Sequence, residues 1–217
     1  MIPDDTRAAP MPTLRRLPSY LRVLHSLRGA GRDTVSCTHI AQELNLDPTQ
    51  VRKDLAVTGI VGRPRIGYDL RSLIQAVEGF LGWDNVTDAF LVGVGNLGSA
   101  LLGYHGFDEY GLNVVAGFDT DSAKVGTQVH GKRILHVDDM HELARRMHVH
   151  IGILTVPAQA AQSAVNYMIL SGLRAIWNFT PTNLQVPAGV VLENVELSAS
   201  LAVLSSKLAE TLRANSE

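Results

Sequence analysis

Cysteine is nearly absent: Cys37 is the only one among 217 residues. No disulfide can form within the chain, which fits a reducing compartment, so a cytoplasmic protein is expected. A small buried residue on a helix is the ordinary reading of Cys37; a redox thiol is the alternative. No run of about 18 apolar residues is free of charges and turns, so no membrane span is expected. The start, MIPDDTRAAPMPTLRR, has two acids and no apolar h-region, so no signal peptide is expected. Residues 1–13, with three prolines, read as a flexible tail. There is no CxxC and no nucleophile–base pattern, so no catalytic residue is assigned. His148 and His150 form an HxH pair near Asp138, Asp139 and His141. Exposed histidines at a strand start explain them better than metal ligation, and no metal is expected.

Charge is scarce but unevenly placed. The formal net charge is -2. Residues 1–82 hold 11 Lys and Arg against 8 Asp and Glu, whereas residues 83–217 hold 8 against 13. A basic first part joined to an acidic remainder hints at a polyanion-binding module followed by a different domain.

The most informative stretch runs from Asp88 to Asp119. An apolar run, Ala89 to Val92, leads into Gly93-Val94-Gly95-Asn96-Leu97-Gly98. An apolar helical segment follows from Leu97 to about Tyr104. A second apolar run, Leu112 to Phe118, ends at Asp119. The order is strand, glycine turn, helix, strand, acid. Gly93 suits the tight turn leaving the strand. Gly95 lets a pyrophosphate approach the backbone, and Gly98 lets the helix pack on the strand. The helix start offers free N–H groups to phosphate. Asp119 stands 21 residues after Gly98, where an acceptor for the ribose hydroxyls is expected. A carboxylate there favours NAD(H) over NADP(H). The competing reading is a Rossmann-like domain for another nucleotide, such as coenzyme A, or for none.

Upstream, Leu17, Tyr20, Leu21, Leu24 and Leu27 recur at helical spacing, up to Gly29 and Gly31. A short helix fits Ser36 to Leu44, and Asn45-Leu46 makes a tight turn. A third helix starts at Asp47-Pro48, an acceptor cap followed by a proline suited to the first turn. Val51 and Leu55 face the core, leaving Thr49, Gln50, Arg52 and Lys53 exposed. This is the pattern of a helix-turn-helix, with basic and amide side chains placed for base edges and phosphates. Gly59 to Tyr68 reads as a β-turn wing, with Arg63 and Arg65 able to reach phosphate or the minor groove. The alternative is a small packing module whose charges are merely solvated. A helix with Leu73, Ile74, Val77 and Leu81 on one face closes the module.

Downstream of Asp119, the stretch from Asp121 to Arg133 is polar. A short strand is expected at Ile134–Val137 and a helix at Asp138–Met147. A strand at Val149–Val156 ends in Thr155-Val156-Pro157, which places Thr155 and Pro157 beside the glycine turn. A helix at Ala158–Ser171 and strands at Arg174–Phe179 and Val190–Leu192 follow. The last helix, from about Glu196 to Arg213, carries Leu197, Leu201, Leu204, Leu208 and Leu212 as a stripe. That stripe is either core against the sheet or a dimer contact, and the latter is favoured.

The combination resembles the Rex family of redox-sensing transcriptional repressors from about Leu17 to Leu208. The resemblance rests on Leu17-Pro18-Ser19-Tyr20-Leu21-Arg22, Val51-Arg52-Lys53-Asp54-Leu55, Gly67-Tyr68 and the run from Val92 to Leu101. It continues through Phe118-Asp119, Leu154 to Pro157, Asn178-Phe179 with Pro181, and Glu193-Asn194-Val195. It implies an α/β Rossmann-type parallel sheet domain preceded by an N-terminal winged helix-turn-helix domain, with a C-terminal helix swapped between the subunits of a homodimer. The corresponding boundaries are a tail at 1–13, a winged helix domain at 14–83, an NAD(H) domain at 84–195 and a dimerisation helix at 196–217. It implies that operator double-stranded DNA is bound when NADH is scarce and released when NADH binds, with NAD+ competing. By position, Gly93 to Gly98 would hold the pyrophosphate and Asp119 the ribose. Tyr104 would lie near the nicotinamide. Arg22 would meet Glu196 in a redox-dependent ion pair. A neutral dihydronicotinamide suits an apolar pocket better than a cationic ring, whose burial costs desolvation.

Several positions depart from the family pattern. Ala56-Val57-Thr58-Gly59 stands where Ser-Tyr-Phe-Gly is usual. Pro64-Arg65-Ile66-Gly67-Tyr68 stands where Arg-Gly-x-Gly-Tyr is usual, so an arginine is displaced and a glycine lost. Glu196 and Leu197 replace the usual aspartate and aromatic. Two other functions compete. A diverged relative would bind NAD(H) or coenzyme A without reading DNA. A small NAD-dependent oxidoreductase would need a substrate domain, yet only 25 residues follow the last expected strand.

Overall fold

The computed structural model describes residues 9–214. The chain divides into two compact units between Asn85 and Val86.

The first unit contains α1 (Met11–Gly29), β1 (Thr34–Val35), α2 (Cys37–Leu44), α3 (Pro48–Ala56), β2 (Tyr68–Asp69) and α4 (Leu70–Leu81). Its core joins Leu17, Tyr20 and Leu24 of α1 to Ile40 of α2, Val51 and Leu55 of α3, and Leu73, Ile74 and Val77 of α4. Each helix start is marked in the sequence. Ser36 accepts from the His39 N–H, Asp47 from Thr49 and Gln50, and Asp69 from Ser72. Asn45 ends α2 in the left-handed region at φ 52°, which asparagine tolerates. Cys37 is buried. Residues 11–13 of the stretch expected as a tail belong to α1, which begins at Met11 behind Pro10; residues 1–8 lie outside the described residues. Prolines suit a helix start, where the backbone N–H has no partner to lose.

The second unit is a seven-stranded sheet in the order β5-β6-β4-β3-β7-β8-β9. Its strands are β3 (Thr87–Val92), β4 (Leu112–Asp119), β5 (Gln128–Val129), β6 (Lys132–His136), β7 (Ile151–Leu154), β8 (Ala175–Asn178) and β9 (Val191–Asn194). All pairings are parallel except β5 with β6. The helices are α5 (Asn96–Leu102), α6 (Met140–Met147), α7 (Ala158–Leu170) and α8 (Leu197–Ala214). Alternation along β3 sorts the core: Phe90 and Val92 join the cluster with α6 and α7, and Leu91 joins the cluster with α5.

Two local structures were not expected from the sequence. The polar stretch after Asp119 contains the β5–β6 hairpin, turning at His130 (φ 49°) and Gly131 (φ 76°). Two successive positive φ values make the hairpin turn that matches strand twist. A 3-10 turn at His105–Tyr110 bridges α5 to β4. The expected helix at Asp138–Met147 starts as a 3-10 turn, and α6 proper begins at Met140.

Candidate functional site

The glycine turn and the acid at the end of β4 are joined directly. The Val94 N–H donates to Asp119 Oδ2 at 2.8 Å, and the Lys124 ammonium donates to the same oxygen at 3.0 Å. The Asp121 N–H donates to Oδ1 at 3.0 Å. Burial would push the Asp119 carboxyl up. The donors from Asp121, Lys124 and Val94 outweigh it, so the group lies below the usual carboxylate range. Its effect on Lys124 is reciprocal: the bond to Asp119 holds the ammonium's pKa above its ordinary value.

Each glycine of the turn has its own geometry. Gly93 takes φ 98°, and a Cβ there would meet Val156 and Thr155 within 3 Å. At Gly98 a Cβ would lie 2.1 Å from the Gly93 carbonyl oxygen, so helix and turn touch backbone to backbone. Gly95 caps α5 and has open space where a Cβ would stand. The Thr155 hydroxyl lies 2.7 Å from the Gly93 carbonyl and 3.1 Å from that of Val92, pinning the end of β7 to the turn.

Beside these residues lies a cavity of about 680 Å³. Gly93, Gly95, Asp119, Lys124, Thr155 and Pro157 are among its lining residues. Val92, Phe118, Val137, Val156, Ala164 and Tyr167 supply most of its apolar wall. Its size falls within the range of about 300–1,000 Å³ typical of cofactor pockets. The open space at Gly95, the helix start and the carboxylate fit a dinucleotide. Asn96 and Leu97 are exposed at the start of α5.

Tyr104 stands elsewhere. It follows α5, is 54% exposed and packs edge-on to Phe107 at 5.0 Å. It lines a separate hollow of about 390 Å³ with His105 and His130. Phe107 continues to Trp177 and Trp177 to Phe179, an aromatic run on the α5 face of the sheet. Asn178, fully buried, uses its whole amide at the end of β8. Nδ2 donates to the Thr182 carbonyl and to Asn194 Oδ1, and Oδ1 accepts from the Thr180 N–H and hydroxyl. The loop after β8 is thereby tied to the residue that ends β9.

In the first unit, Thr49, Arg52 and Lys53 are exposed on α3, and Arg63 and Arg65 on the wing. Arg52, Arg63 and Arg65 line one hollow of about 510 Å³ between α3 and the wing. Arg63 and Gly67 exchange backbone hydrogen bonds at 2.7 and 2.9 Å to close the wing. Gly67 sits against the Val35 carbonyl, where a Cβ would lie 2.2 Å away. Arg65 takes φ 65°, and it stands where the family pattern has glycine.

Gln50 differs from the other α3 residues. It is partly buried, and its Nε2 donates to Asp54 Oδ1 at 3.0 Å. Asp54 is 1% exposed and gathers four further donors from α1. These are Thr13 Oγ1 at 2.9 Å, Arg16 Nε and Nη2 at 2.6 and 2.8 Å, and the Tyr20 hydroxyl at 2.6 Å. Burial raises the carboxyl's pKa, but the donors prevail and bring it to about 2. Burial and the bond to Asp54 push the Tyr20 hydroxyl upward. The sequence points to Gln50 as a DNA contact and to Tyr20 as core, but not to their gathering on Asp54. A signal existed: Asp54 lies between Val51 and Leu55 on the inward face of α3, where a lone carboxylate needs partners.

Arg22 is exposed on α1, with its Nη2 donating to Ser19 Oγ at 3.1 Å, and Glu196 is exposed just before α8. On α8, Leu201, Leu204 and Leu208 are each more than half exposed, so the stripe does not pack as core within this chain. Among the described residues no group of three or more His, Cys, Asp or Glu is arranged to hold a metal. No described helix is long and apolar enough to cross a membrane.

Known families and structures agree with this arrangement. A family described as "CoA binding domain" matches residues 84–182, and one described as "Putative DNA-binding protein N-terminus" matches residues 8–56. The redox-sensing transcriptional repressor Rex of Bacteroides fragilis is 45% identical over 94% of this chain and 93% of its own length. The Rex repressor of Treponema denticola is 44% identical, covering 89% of this chain and 92% of its own. Among solved structures, RSP in complex with β-NAD+ and operator DNA has a TM-score of 0.87 at 32% identity, covering 96% of each chain. RSP in complex with β-NADH has a TM-score of 0.85 at 31% identity, covering 97% of this chain and 99% of its own. These relatives are named as regulators. At such identity over nearly the full length, this chain belongs to the Rex family of redox-sensing transcriptional repressors.

Proposed function

We propose that the protein is an NADH-responsive transcriptional repressor. It binds operator DNA as a homodimer when NADH is scarce relative to NAD+, and it releases the DNA when NADH binds. One observation carries this reading: the same chain joins a helix-turn-helix bearing exposed Arg52 and Lys53 to a glycine turn bonded to Asp119 beside a large cavity. The protein acts in the cytoplasm and turns over no substrate.

In this reading Asn96, Leu97 and Gly98 offer backbone N–H groups to the pyrophosphate, Gly95 leaves it room, and Val94 uses its own N–H to hold Asp119 beside the turn. Asp119 receives a ribose hydroxyl on its free lone pairs, and its charge disfavours a ribose phosphate. Thr155 and Pro157 wall the cavity where the chain passes from β7 to α7. Tyr104 lines a separate hollow, so it would meet the nicotinamide only where the dinucleotide reaches beyond the cavity; a neutral ring is buried there at less cost than a cationic one. The pairing of Arg22 with Glu196 that the family resemblance implies would then differ between the two redox states. The α8 stripe packs against the second subunit. Release then follows if NADH binds better to a dimer arrangement whose recognition helices miss the half-site spacing. Thr49, Gln50, Arg52 and Lys53 enter the major groove, and Arg63 and Arg65 reach the neighbouring backbone.

The test is retention of a genomic fragment pool by the purified protein with no nucleotide, with NAD+ and with NADH. Fragments lost only with NADH support the reading. A protein that binds NADH but retains no fragment in any state is instead a sensor that no longer reads DNA, the reading favoured by the altered wing at Arg65.

A further inference from the structure

The Asp54 cluster bears on which bases the protein reads, and this inference rests on α3 being the helix that enters the groove. A glutamine amide is ordinarily ambidextrous. Its oxygen accepts, its nitrogen donates, and the group flips to suit whichever base edge it meets. Gln50 has lost that freedom. Its nitrogen lies 3.0 Å from Asp54 Oδ1. An ionised carboxylate accepts only, so the amide must present nitrogen to it and turn Oε1 away. Asp54 cannot swing aside to release Gln50. Arg16 grips both of its oxygens, and Thr13 and Tyr20 each hold one, from a helix that is itself packed in the core.

We infer that Asp54 is a positioning residue for sequence recognition: by fixing the Gln50 amide, it makes position 50 an acceptor-first reader that selects an amino base, adenine or cytosine, over a keto base, guanine or thymine. In the major groove adenine N6 and cytosine N4 are donors, whereas guanine O6 and thymine O4 are acceptors. The outward Oε1 meets the first pair and repels the second. For adenine, the second amide hydrogen remains for N7. Asp54 touches no base, so its role is exerted through Gln50.

The experiment selects binding sites from random-sequence duplexes with the full-length wild type, Gln50→Met and Asp54→Asn. Folding is checked by circular dichroism. The wild type is expected to show one position per half-site where A or C is preferred over G or T by about 5-fold or more, the discrimination of one good base contact. Gln50→Met should flatten that position, leaving the others and the salt slope unchanged. Asp54→Asn, whose amide no longer forces nitrogen inward, should flatten the same position. A residue with only a structural role would lower affinity evenly across all positions. A keto base at the Gln50-dependent position overturns the inference. So does a Gln50→Met profile identical to wild type, or full discrimination by folded Asp54→Asn. If Asp54→Asn fails to fold, the identity of the base that depends on Gln50 still decides. A wild type that selects no sequence refutes the operator-binding reading itself, a different result from either.

Discussion

The Val94 N–H and the Asp119 carboxylate are hydrogen-bonded at 2.8 Å, so the glycine turn and the acid at the end of β4 form one connected site. The two residues lie 25 apart in sequence. The parallel pairing of β3 with β4 brings them together, matching Val92 to Phe118. What the site does can therefore be probed from either end.

Gly95 is the position at which to block the cavity without breaking the turn. A Cβ there meets nothing within 4 Å, and φ is an ordinary -84°. Gly95→Val is expected to fold and to bind DNA without nucleotide. Its affinity for NADH should fall by at least about 10-fold, or 1.4 kcal/mol, as read by nucleotide fluorescence. A variant that still releases DNA at the wild-type NADH concentration would remove the glycine turn from the sensing site.

Acid should weaken the first unit through Asp54. Its carboxyl pKa is brought from the ordinary 3.8 to about 2, a depressed value in the folded state. The resulting stability is present above about pH 4 and is lost as pH falls towards 2, with a full size of about 2 kcal/mol. Urea unfolding of wild type and Asp54→Asn at pH 7 and pH 3 should show the wild-type advantage shrinking at the lower pH. A constant difference would mean that the carboxylate charge does not hold α3 to α1.

Arg65 holds a left-handed conformation at φ 65° that costs a non-glycine residue about 1–2 kcal/mol. Arg65→Gly is therefore expected to raise the unfolding free energy by about 1 kcal/mol. It should also weaken DNA binding by removing a wing cation. Thermal unfolding and a binding titration measure the two effects. A melting temperature that does not rise would show that the wing has relaxed around the arginine.

Lys53 is exposed on α3. Lys53→Ala should weaken operator binding across sequences and reduce the slope of log affinity against log salt by about 1. An unchanged slope would take Lys53 out of the phosphate contacts.

Much of this was legible in the residues because the signals were local. Asp47-Pro48 and Ser36 mark helix starts by hydrogen-bonding chemistry that needs no tertiary context. The glycines at 93 and 98 announced close backbone contacts, and the contacts are there. Only part of the β5–β6 hairpin is legible: a strand is expected over the end of β6, but the two residues of β5 give no periodicity and the turn uses His130 rather than asparagine. Lys124 is illegible for a related reason: only the folded loop after β4 returns its ammonium to Asp119. The Asp54 cluster joins side chains 34 to 41 residues apart, so the inward place of Asp54 on α3 calls for partners without saying which. In sequence Gln50 is an amide on an exposed face, and only the packing of α1 against α3 shows what holds it.

In the proposed function the ratio of NADH to NAD+, and not nucleotide as such, sets DNA occupancy. Operator retention should be measured across a series of NADH:NAD+ ratios at fixed total nucleotide and fixed salt. Retention is expected to fall steadily as the ratio rises, and to stay high with NAD+ alone. Retention that is indifferent to the ratio, or that falls equally with either nucleotide, would contradict the account.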